Sequence, residues 1–302
     1  MTYRIGIDLG GTKTESILLD PRGAELHRHR RPTPAAAGYE AILDNIQVSV
    51  NEALALIPEA HARGDCRVGV GIPGMVGENH LVRNANTTVL NGRPLRLDLE
   101  KRLGRTIQVE NDANCFVVAE AMRGAGRPYE LVFGVIMGTG CGGGIFQRDS
   151  SGAGGRVLRG RHGIGGEWGH ISLDPAGAPC YCGNRGCVET MISGSGMERA
   201  FRESTGRELS MREIHAGFVS GDGDCIRAFE RFLDDFGRAL GGLISILDPD
   251  VVVLGGGLSS MDELYDRGLK KVVQYAFHEK IETPILRNEL GDSAGVHGAA
   301  WL

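Results

Sequence analysis

Three cysteines and one histidine stand close together in the sequence, at a spacing that could hold a metal ion. His170 precedes Cys180-Tyr181-Cys182 by ten residues, and Cys187 follows Cys182 by five. A Cys₃His set of this kind can close a tetrahedral site, and structural zinc is its usual occupant. Three unpaired buried thiols or a disulfide are the alternatives, and we predict zinc.

Two glycine-rich turns contain residue types suited to binding phosphate. Asp8-Leu9-Gly10-Gly11-Thr12 and Gly138-Thr139-Gly140 each lie between two apolar runs. Backbone N–H groups in such turns can converge on an anion, and the threonines add hydroxyl donors. An acid such as Asp8 beside a phosphate loop suits a divalent cation that bridges to a nucleotide. For one turn alone a plain hairpin with an Asx-type cap is the alternative, but a third run, Gly255-Gly256-Gly257, favours phosphate.

Two common nucleotide-binding motifs do not fit these turns. Residues 69–74 and 138–143 match G-x-G-x-x-G, but the first runs into a proline and a loop, and the second into a strand. The dinucleotide fingerprint needs a helix at that place. In residues 6–14 Thr12 stands where the lysine of a Walker loop should be. Dinucleotide binding is therefore not expected.

A carboxylate that could act as a general base lies at Asp112. Asn111-Asp112 follows a predicted strand where the first half of the chain passes to the second. Such junctions are places where ligands commonly bind. Transfer of a phosphoryl group to a hydroxyl needs a carboxylate to take the proton. An aspartate that caps the helix beginning at residue 113 is the alternative, and spacing alone leaves both open.

Composition and charge limit the classes of protein to which the chain can belong. Its 302 residues are 41% hydrophobic and 24% charged, which is ordinary for a globular protein and excludes a mainly disordered chain. The 47 glycines are about twice the usual share, but they lack the three-residue period of collagen. The net charge of −5 gives no electrostatic reason to expect nucleic acid as a partner.

The sequence also predicts a cytoplasmic protein that does not bind a membrane. The start MTYRIGIDLGG has no basic segment followed by an apolar stretch, so we expect no signal peptide. No window approaches the roughly 18 apolar residues of a membrane span. Seven cysteines without a secretory signal indicate a reducing compartment. Four of them lie outside the cluster and are assigned no role, namely Cys66, Cys115, Cys141 and Cys225.

Apolar periodicity predicts an α/β chain that is built twice from similar pieces. The first half has the order β-β-β-α-β-α-β-α, at 3–9, 14–20, 24–31, 38–57, 66–72, 95–103, 106–110 and 113–123. The second half opens again with strand, glycine turn and strand. Its predicted strands are 131–137, 143–147, 250–254 and 284–289, and its predicted helices are 194–204, 210–219, 224–247, 260–277 and 291–302. Residues 75–94 are predicted to be irregular, and residues 148–166 are predicted to form a loop or a hairpin.

With these motifs in this order, the chain resembles the sugar kinases, actin and the heat-shock-protein ATPases. The resemblance rests on strand–DxGGT–strand, then GTGxG, then LGGG, and it covers essentially the whole chain. The cysteine segment narrows it to the ROK family (repressors, open reading frames, kinases). The resemblance implies two actin-like (ribonuclease H-like) α/β domains with an interdomain cleft. They are 1–112, to which 291–302 returns, and 113–290, which carries a zinc loop at 167–189.

The family resemblance also implies roles for individual residues. Asp112, in the intact motif Asn111-Asp112-Ala113-Asn114, is the expected base, and Asp8 is expected to hold Mg²⁺ through water. ATP and a hexose are the expected partners, structural Zn²⁺ and Mg²⁺ with ATP the expected cofactors, and a homodimer the expected assembly. The expected nucleotide contacts are Asp8, Gly10, Gly11, Thr12, Lys13, Gly138, Thr139, Gly140, Gly255, Gly256 and Gly257. The expected sugar contacts are Gly74, Asn86, Asn111, Asp112, Glu167, His170 and Glu189, of which His170 also binds zinc.

One segment resembles the fructokinase branch of the family. It is Asn84-Ala85-Asn86-Thr87-Thr88 with Leu90-Asn91-Gly92, where N-acetylglucosamine kinases would be expected to have Asn-Val-Pro. The resemblance therefore implies an ATP-dependent fructokinase acting on the 6-hydroxyl, with mannose and glucose as further candidates. An N-acetylglucosamine or N-acetylmannosamine kinase is the alternative.

Two other functions are remote alternatives. A sugar-responsive repressor of this family would carry a DNA-binding domain before the first glycine turn, and Asp8 leaves no room for one. A catalytically dead sugar sensor would be expected to lack the base or a phosphate turn, whereas Asp112 and both turns are present.

Overall fold

The chain divides into two units, each with its own five-stranded sheet. The computed structural model describes residues 2–58, 66–77, 79–152, 154–278 and 280–302. The first unit comprises Met1–Arg127, Arg156–Gly165 and Asp292–Leu302, and the second comprises Pro128–Gly155 and Gly166–Gly291. The predicted domain limits, 1–112 and 113–290, stay a prediction. In the structure, the unit that holds residue 112 runs on to Arg127 and includes a short segment from the second half of the chain.

The strands of the two sheets follow one another in the same way in both units. In chain order the strands are β1 (Tyr3–Leu9), β2 (Lys13–Leu19), β3 (Glu25–Pro32), β4 (Cys66–Ile72), β5 (Met75–Val76), β6 (Val82–Arg83), β7 (Ile107–Asn111), β8 (Leu131–Met137), β9 (Cys141–Arg148), β10 (Gly155–Val157), β11 (Val251–Gly255) and β12 (Ile285–Arg287). The first sheet has the order β3-β2-β1-β4-β7 and the second β10-β9-β8-β11-β12. In each sheet an antiparallel hairpin is continued by parallel strands.

The helices join and cover these strands. In chain order they are α1 (Tyr39–Ala55), α2 (Leu95–Leu103), α3 (Asp112–Arg123), α4 (Val188–Ile192), α5 (Gly194–Thr205), α6 (Met211–Ser220), α7 (Gly223–Leu247), α8 (Leu269–Tyr275) and α9 (Ala294–Trp301). Among the described residues, no helix is both long enough and apolar enough to span a membrane.

The two faces of the first sheet are covered in different ways. On one face, apolar side chains of β1 and β4 pack with Ile42, Ile46 and Val50 of α1 in a buried core. On the other face, glycines admit the backbone of α9. A Cβ on Gly6 would lie 2.1 Å from the Val296 carbonyl oxygen, and one on Gly69 would lie 1.9 Å from that of Ala299. Only glycine permits so close an approach of helix and strand.

The core of the second unit lies between its sheet and the long helix α7. Phe229, Phe232 and Phe236 of α7 are fully buried together with Phe133 of β8 and Leu254 of β11. Burial of such large apolar side chains is the main force that holds a unit of this kind together. The spacing of the three phenylalanines along α7 places them on one face of the helix.

The structure confirms the α/β fold and most of the predicted elements. It adds the short helix α4, which the sequence did not predict, and it departs from the prediction at two further places. The helix predicted at 260–277 is broken into a 3₁₀ turn at Gly257–Ser260, a π turn at Leu264–Gly268 and α8. The residues predicted to be irregular at 75–94 contain the β5–β6 pair. Strands of two residues are too short to give an alternating pattern, and a π turn adds a residue that the 3.6-residue period does not reveal.

Two neighbouring aspartates of α7 lead to a prediction about stability and pH. Burial raises the pKa of Asp235, whose nearest cation, Arg231, is 3.7 Å away. A hydrogen bond from Lys271, 2.9 Å away, lowers the pKa of Asp234. The contribution of Asp235 is therefore lost as pH rises through its folded pKa, whereas that of Asp234 is lost as pH falls through its folded pKa.

Asp235→Asn should accordingly raise Tm more at pH 7.5 than at pH 4.5. Asp234→Asn should lower Tm by nearly the same amount at both pH values, because the pKa of Asp234 lies below 4.5 in the folded and in the unfolded chain. Differences of roughly 2–4 °C are expected for each kcal/mol involved. Thermal unfolding of the two variants and the wild type at both pH values measures this. Changes of the same sign in both variants would contradict the assignment.

Candidate functional site

Three predicted site segments leave the first sheet at the same edge. β4 pairs in parallel with β1 and with β7, so the carboxyl ends of these strands lie side by side. Asp8 lies opposite Gly71, and Ile72 opposite Asn111. The first glycine turn, the Pro73-Gly74 turn and the Asn111-Asp112 turn therefore share one edge. Ligands of open α/β sheets bind at the carboxyl ends of their strands.

The first glycine turn joins β1 to β2 and is held from behind by Thr33. The Gly10 N–H donates to the Lys13 carbonyl at 3.0 Å. The Thr33 hydroxyl donates to the Gly10 carbonyl at 2.8 Å, and the Thr33 N–H to the Thr12 carbonyl at 2.9 Å. Residues 11–13 are exposed. A turn with its carbonyls engaged on the protein side and its other face open is suited to binding an anion.

Asp8, at the end of β1, is a carboxylate whose charged form is disfavoured in the folded chain. Burial, followed by the charge of Glu15, raises the pKa of Asp8 to about 6, while Lys13 and Arg30 act in the opposite sense. Glu15 is opposite Asp8 in the β1–β2 register and pairs with Arg28 at 2.5 Å and Arg30 at 2.8 Å. A nearby divalent cation would favour the ionised carboxylate. The setting of Asp8 therefore fits the predicted Mg²⁺ role.

The second unit has a matching turn, Gly138-Thr139-Gly140, between β8 and β9. The Gly138 N–H donates to the Gly140 carbonyl at 2.9 Å, and Ser195 Oγ donates to the Thr139 carbonyl at 2.6 Å. Gly256, after β11, has a φ of 78°, and a Cβ there would lie 2.3 Å from the Met137 carbonyl oxygen. The structure thus brings the second and third glycine runs together at the end of β8.

Asn111, and not Asp112, caps helix α3. The Asn111 side-chain oxygen accepts from the N–H groups of Ala113 at 2.8 Å and Asn114 at 3.4 Å. Asp112 is the first residue of the helix, and its Oδ1 accepts from the Ala113 N–H at 2.8 Å. The capping role that spacing left open for Asp112 is therefore filled by its neighbour.

Gly74, Asn86 and Asn111, three predicted sugar contacts of the first unit, lie together. Asn111 Nδ2 donates to the Gly74 carbonyl at 3.0 Å, and the Asn86 N–H donates to the Pro73 carbonyl at 3.1 Å. A Cβ on Gly74 would lie 2.8 Å from Ala85 Cα, so the two loops are in close contact. These contacts bring the loops that carry Gly74 and Asn86 to the edge that also carries Asp112.

The segment that suggested fructokinase is braced from within. Asn91 Oδ1 accepts from the Ala85 N–H at 2.9 Å, and Asn91 Nδ2 donates to the Ala85 carbonyl at 3.0 Å. The side chain of Asn91 is therefore used to shape its own loop. A residue that serves the loop in this way carries no direct information about the sugar.

Two predicted sugar contacts of the second unit are carboxylates that influence one another. Glu189 Oε2 accepts from the Cys141 N–H at 3.0 Å, which joins α4 to the strand after the second glycine turn. A Cβ on Gly140 would lie 2.7 Å from the same oxygen. Burial, with a contribution from the charge of Glu189, raises the pKa of Glu167, while His170 lowers it. Glu167, His170 and Glu189 therefore form one group.

His170, Cys180, Cys182 and Cys187 converge at one point. One ligand atom from each lies within 4.8 Å of the others. The Sγ atoms of Cys182 and Cys187 are 3.6 Å apart, and Cys180 Sγ is 3.6 Å from His170 Nδ1. Ligands at about 2.3 Å for sulfur and about 2.0–2.1 Å for nitrogen around tetrahedral zinc would be separated by roughly these distances. All seven cysteines are free, so the disulfide alternative is not supported. The donor set fits zinc.

Tyr181 is a residue of this region that sequence reasoning missed. Its hydroxyl lies 3.1 Å from His170 Nε2, whereas the other ring nitrogen, Nδ1, is the one close to Cys180 Sγ. Metal-bound histidines commonly use their second nitrogen for such a contact, which sets the orientation of the ring. The position of Tyr181 between two of the cysteines was the only available signal.

Comparison with known proteins gives a consistent result over the full length. The sequence model of the ROK family matches residues 4–302. The N-acetyl-D-glucosamine kinase of Mannheimia succiniciproducens is 37% identical and covers 98% of both chains, and further relatives of that name are 35–36% identical. The ROK hexokinase structure from Thermus thermophilus is 32% identical, with a TM-score of 0.86 and coverage of 99% of this chain and 97% of that one. A ROK family glucokinase from Streptomyces griseus, solved with glucose and AMPPNP, is 30% identical, with a TM-score of 0.75 and coverage of 99% and 98%.

The names of these relatives overturn the prediction of a fructokinase. Relatives that match over nearly the whole chain at 35–37% identity are N-acetyl-D-glucosamine kinases. The fructokinase interpretation rested on residues 84–92, a loop that Asn91 braces internally. A short loop segment was therefore a poor guide to the sugar.

The convergence of the four ligand atoms predicts that the cysteine segment depends on zinc. Elemental analysis of the full chain should find close to one zinc per chain, and Cys182→Ser should remove most of it. Structural zinc contributes on the order of 10–16 kcal/mol in small peptides, so amide hydrogen exchange should also speed up across 171–189. Cys66→Ser, outside the cluster, is the matched control. Zinc-free protein with this segment fully protected would refute the prediction.

Proposed function

The chain belongs to the ROK family of sugar kinases, and on that premise we propose that it transfers the γ-phosphoryl group of ATP to N-acetyl-D-glucosamine. The observation that carries the proposal is the full-length likeness, at 35–37% identity, to kinases named for this sugar. The 6-hydroxyl is the proposed acceptor. An N-acetylmannosamine kinase is the neighbouring possibility that the test below separates.

Asp112 is the proposed base of the reaction. It stands at the start of α3, and its place is set by Asn111, which caps that helix and holds the Gly74 carbonyl. A carboxylate there would accept the proton of the sugar hydroxyl as the oxygen attacks phosphorus. Attack requires the two reacting atoms to be about 3–3.5 Å apart, so the turn that carries Asp112 must be rigid.

The glycine turns are proposed to bind the phosphates. Residues 10–13 of the first unit and 138–140 of the second each offer backbone N–H groups, with Thr12 and Thr139 as hydroxyl donors. The run at 255–257 lies against the end of β8 and is proposed to complete the nucleotide contacts. When bound through Asp8, Mg²⁺ would neutralise charge on the phosphates.

The sugar contacts are proposed to come from two groups of side chains. Gly74, Asn86 and Asn111 form one group, and Glu167, His170 and Glu189 the other. For His170 to contact the sugar, a sugar hydroxyl would have to replace the Tyr181 hydroxyl at Nε2. The zinc ligands would have a structural task. Zinc would fix the His170 ring through Nδ1, close to Cys180. It would also fix Cys187, which immediately precedes α4, the helix that carries Glu189. Assembly as a homodimer and a cytoplasmic location stay predictions.

A release assay for ADP across several sugars tests the proposed substrate. N-acetylglucosamine should give the highest kcat/KM of the five sugars. The other four are N-acetylmannosamine, glucose, mannose and fructose, and no order among them is predicted. A contact to the acetamido group can be worth a large factor, because polar groups built to bind it are left unpaired by a plain hexose. A kcat/KM for any of the other four sugars above that for N-acetylglucosamine would refute the proposal, and a preference for N-acetylmannosamine would support the neighbouring possibility instead.

The role of Asp112 leads to a separate prediction. Asp112→Asn should keep the fold and sugar binding but lower kcat by about 10²–10⁴-fold, the usual loss when a positioned base is removed. Calorimetric titration with the sugar and steady-state kinetics measure the two effects. Asp266→Asn, an exposed carboxylate of the second unit, is the control. Near-normal turnover of Asp112→Asn would remove this residue from the role.

A further inference from the structure

A buried carboxylate beside Asp112 has contacts on both of its oxygens. Glu110, in β7, is only 7% exposed. Its Oε1 accepts from the Asn111 N–H and from Asn114 Nδ2, each at 3.0 Å. Its Oε2 pairs with Nε of Arg159. One carboxylate therefore holds the backbone just before Asp112 and the side chain two positions after it.

Arg159 reaches this carboxylate from a distant part of the sequence. It lies 49 positions after Glu110, in Arg156–Gly165. This segment belongs to the first unit, although the chain on both sides of it belongs to the second. A Cβ on Gly163 would lie 3.7 Å from the Val76 carbonyl oxygen, so the segment also rests on β5. The pair with Glu110 is thus one of the contacts that hold 156–165 in place.

The surroundings of this pair are rich in negative charge. Burial raises the pKa of the Cys115 thiol, and the charges of Glu110, Asp8 and Asp112 raise it too, whereas Arg159 lowers it. The three carboxyl groups and the guanidinium therefore lie near enough to influence the same thiol. Among these groups, Arg159 supplies the positive charge.

A buried carboxylate that loses its cation does not keep its arrangement. An unpaired buried charge is costly, so Glu110 would turn toward water or toward another donor if Arg159 were removed. Either response would weaken its hold on the Asn111 N–H and on Asn114. Asn111 caps α3 and so sets where Asp112 stands. Since a displacement of a reacting group by about 1 Å can lower the rate about 10²-fold, a loosened Asn111-Asp112 turn would lower kcat.

We infer that Glu110 and Arg159 are positioning residues that hold the Asn111-Asp112 turn in its reactive place. The inference rests on the proposed role of Asp112 as the base. It assigns Arg159, which no sequence motif marked, a part in the reaction although it need not touch the substrate. It also links the segment 156–165 to the turn that carries the base.

Four variants of the full-length chain test the inference: Arg159→Gln, Arg159→Lys, Glu110→Gln and the double variant Glu110→Gln/Arg159→Gln. Arg161→Gln is the matched control, because Arg161 is an exposed arginine of the same segment. Each protein is assayed with the sugar that the wild type phosphorylates best. kcat, KM for sugar and ATP, Tm and the amide hydrogen exchange of residues 108–116 are measured.

A positioning pair should affect kcat and leave KM nearly unchanged. Arg159→Gln should lower kcat about 10–100-fold, with each KM within about threefold of wild type, and should speed up exchange at residues 108–116. Arg159→Lys should recover part of kcat. The double variant should lose no more than the worse single variant, because both changes break the same interaction.

Two outcomes would overturn the inference. One is a kcat of Arg159→Gln within twofold of Arg161→Gln. The other is a loss that disappears when activity is expressed per folded molecule, which would make the pair merely structural. Failure of the proposed function would look different, since it would show as a wild type that prefers a sugar other than N-acetylglucosamine. The positioning test is unaffected by that result, because it uses whichever sugar the wild type prefers.

Discussion

Parallel pairing of β4 with β1 on one side and with β7 on the other is the constraint on which the first unit depends. It brings Asp8, the Gly74 turn and Asn111-Asp112 to one edge, although they are far apart in the sequence. The same strands must pack against α9, and they do so only because Gly6 and Gly69 have no side chain in its way. β1 and β4 therefore carry both the glycines that admit α9 and the ends from which two of the site turns begin.

The second unit places its groups by local connections. Cys187 is followed directly by α4, so the cluster of His170 and three cysteines fixes where that helix begins. From α4, Glu189 reaches back to the Cys141 N–H beside the second glycine turn. The cysteine segment, a carboxylate and the second glycine turn are thus joined by short steps. This explains why loss of one cysteine is expected to disturb more than metal binding.

The reaction class is determined by residues spread over the whole chain, whereas the preferred sugar is determined by a few contacts. The class follows from turns, strand ends and a carboxylate distributed over the whole chain, which is why the family resemblance was sound. The sugar depends on a few contacts that differ by small free energies. Residues 84–92 looked informative, but Asn91 uses its side chain to hold Ala85 and shapes only its own loop. Identity over the full length gave the better guide.

The sequence by itself determined the features whose residues are neighbours in the chain: the glycine turns, the Asn111-Asp112 turn, the cysteine segment and the α/β order of elements. Each of these features depends on residues that are close together in the sequence, so a sequence pattern can predict it. Only the tertiary structure decided that Asn111 caps α3, that Gly256 lies against Met137, and that Glu110 pairs with Arg159 across 49 positions. Such contacts are made when distant segments pack together, and burial then selects the partner that satisfies a charge or leaves room for a backbone.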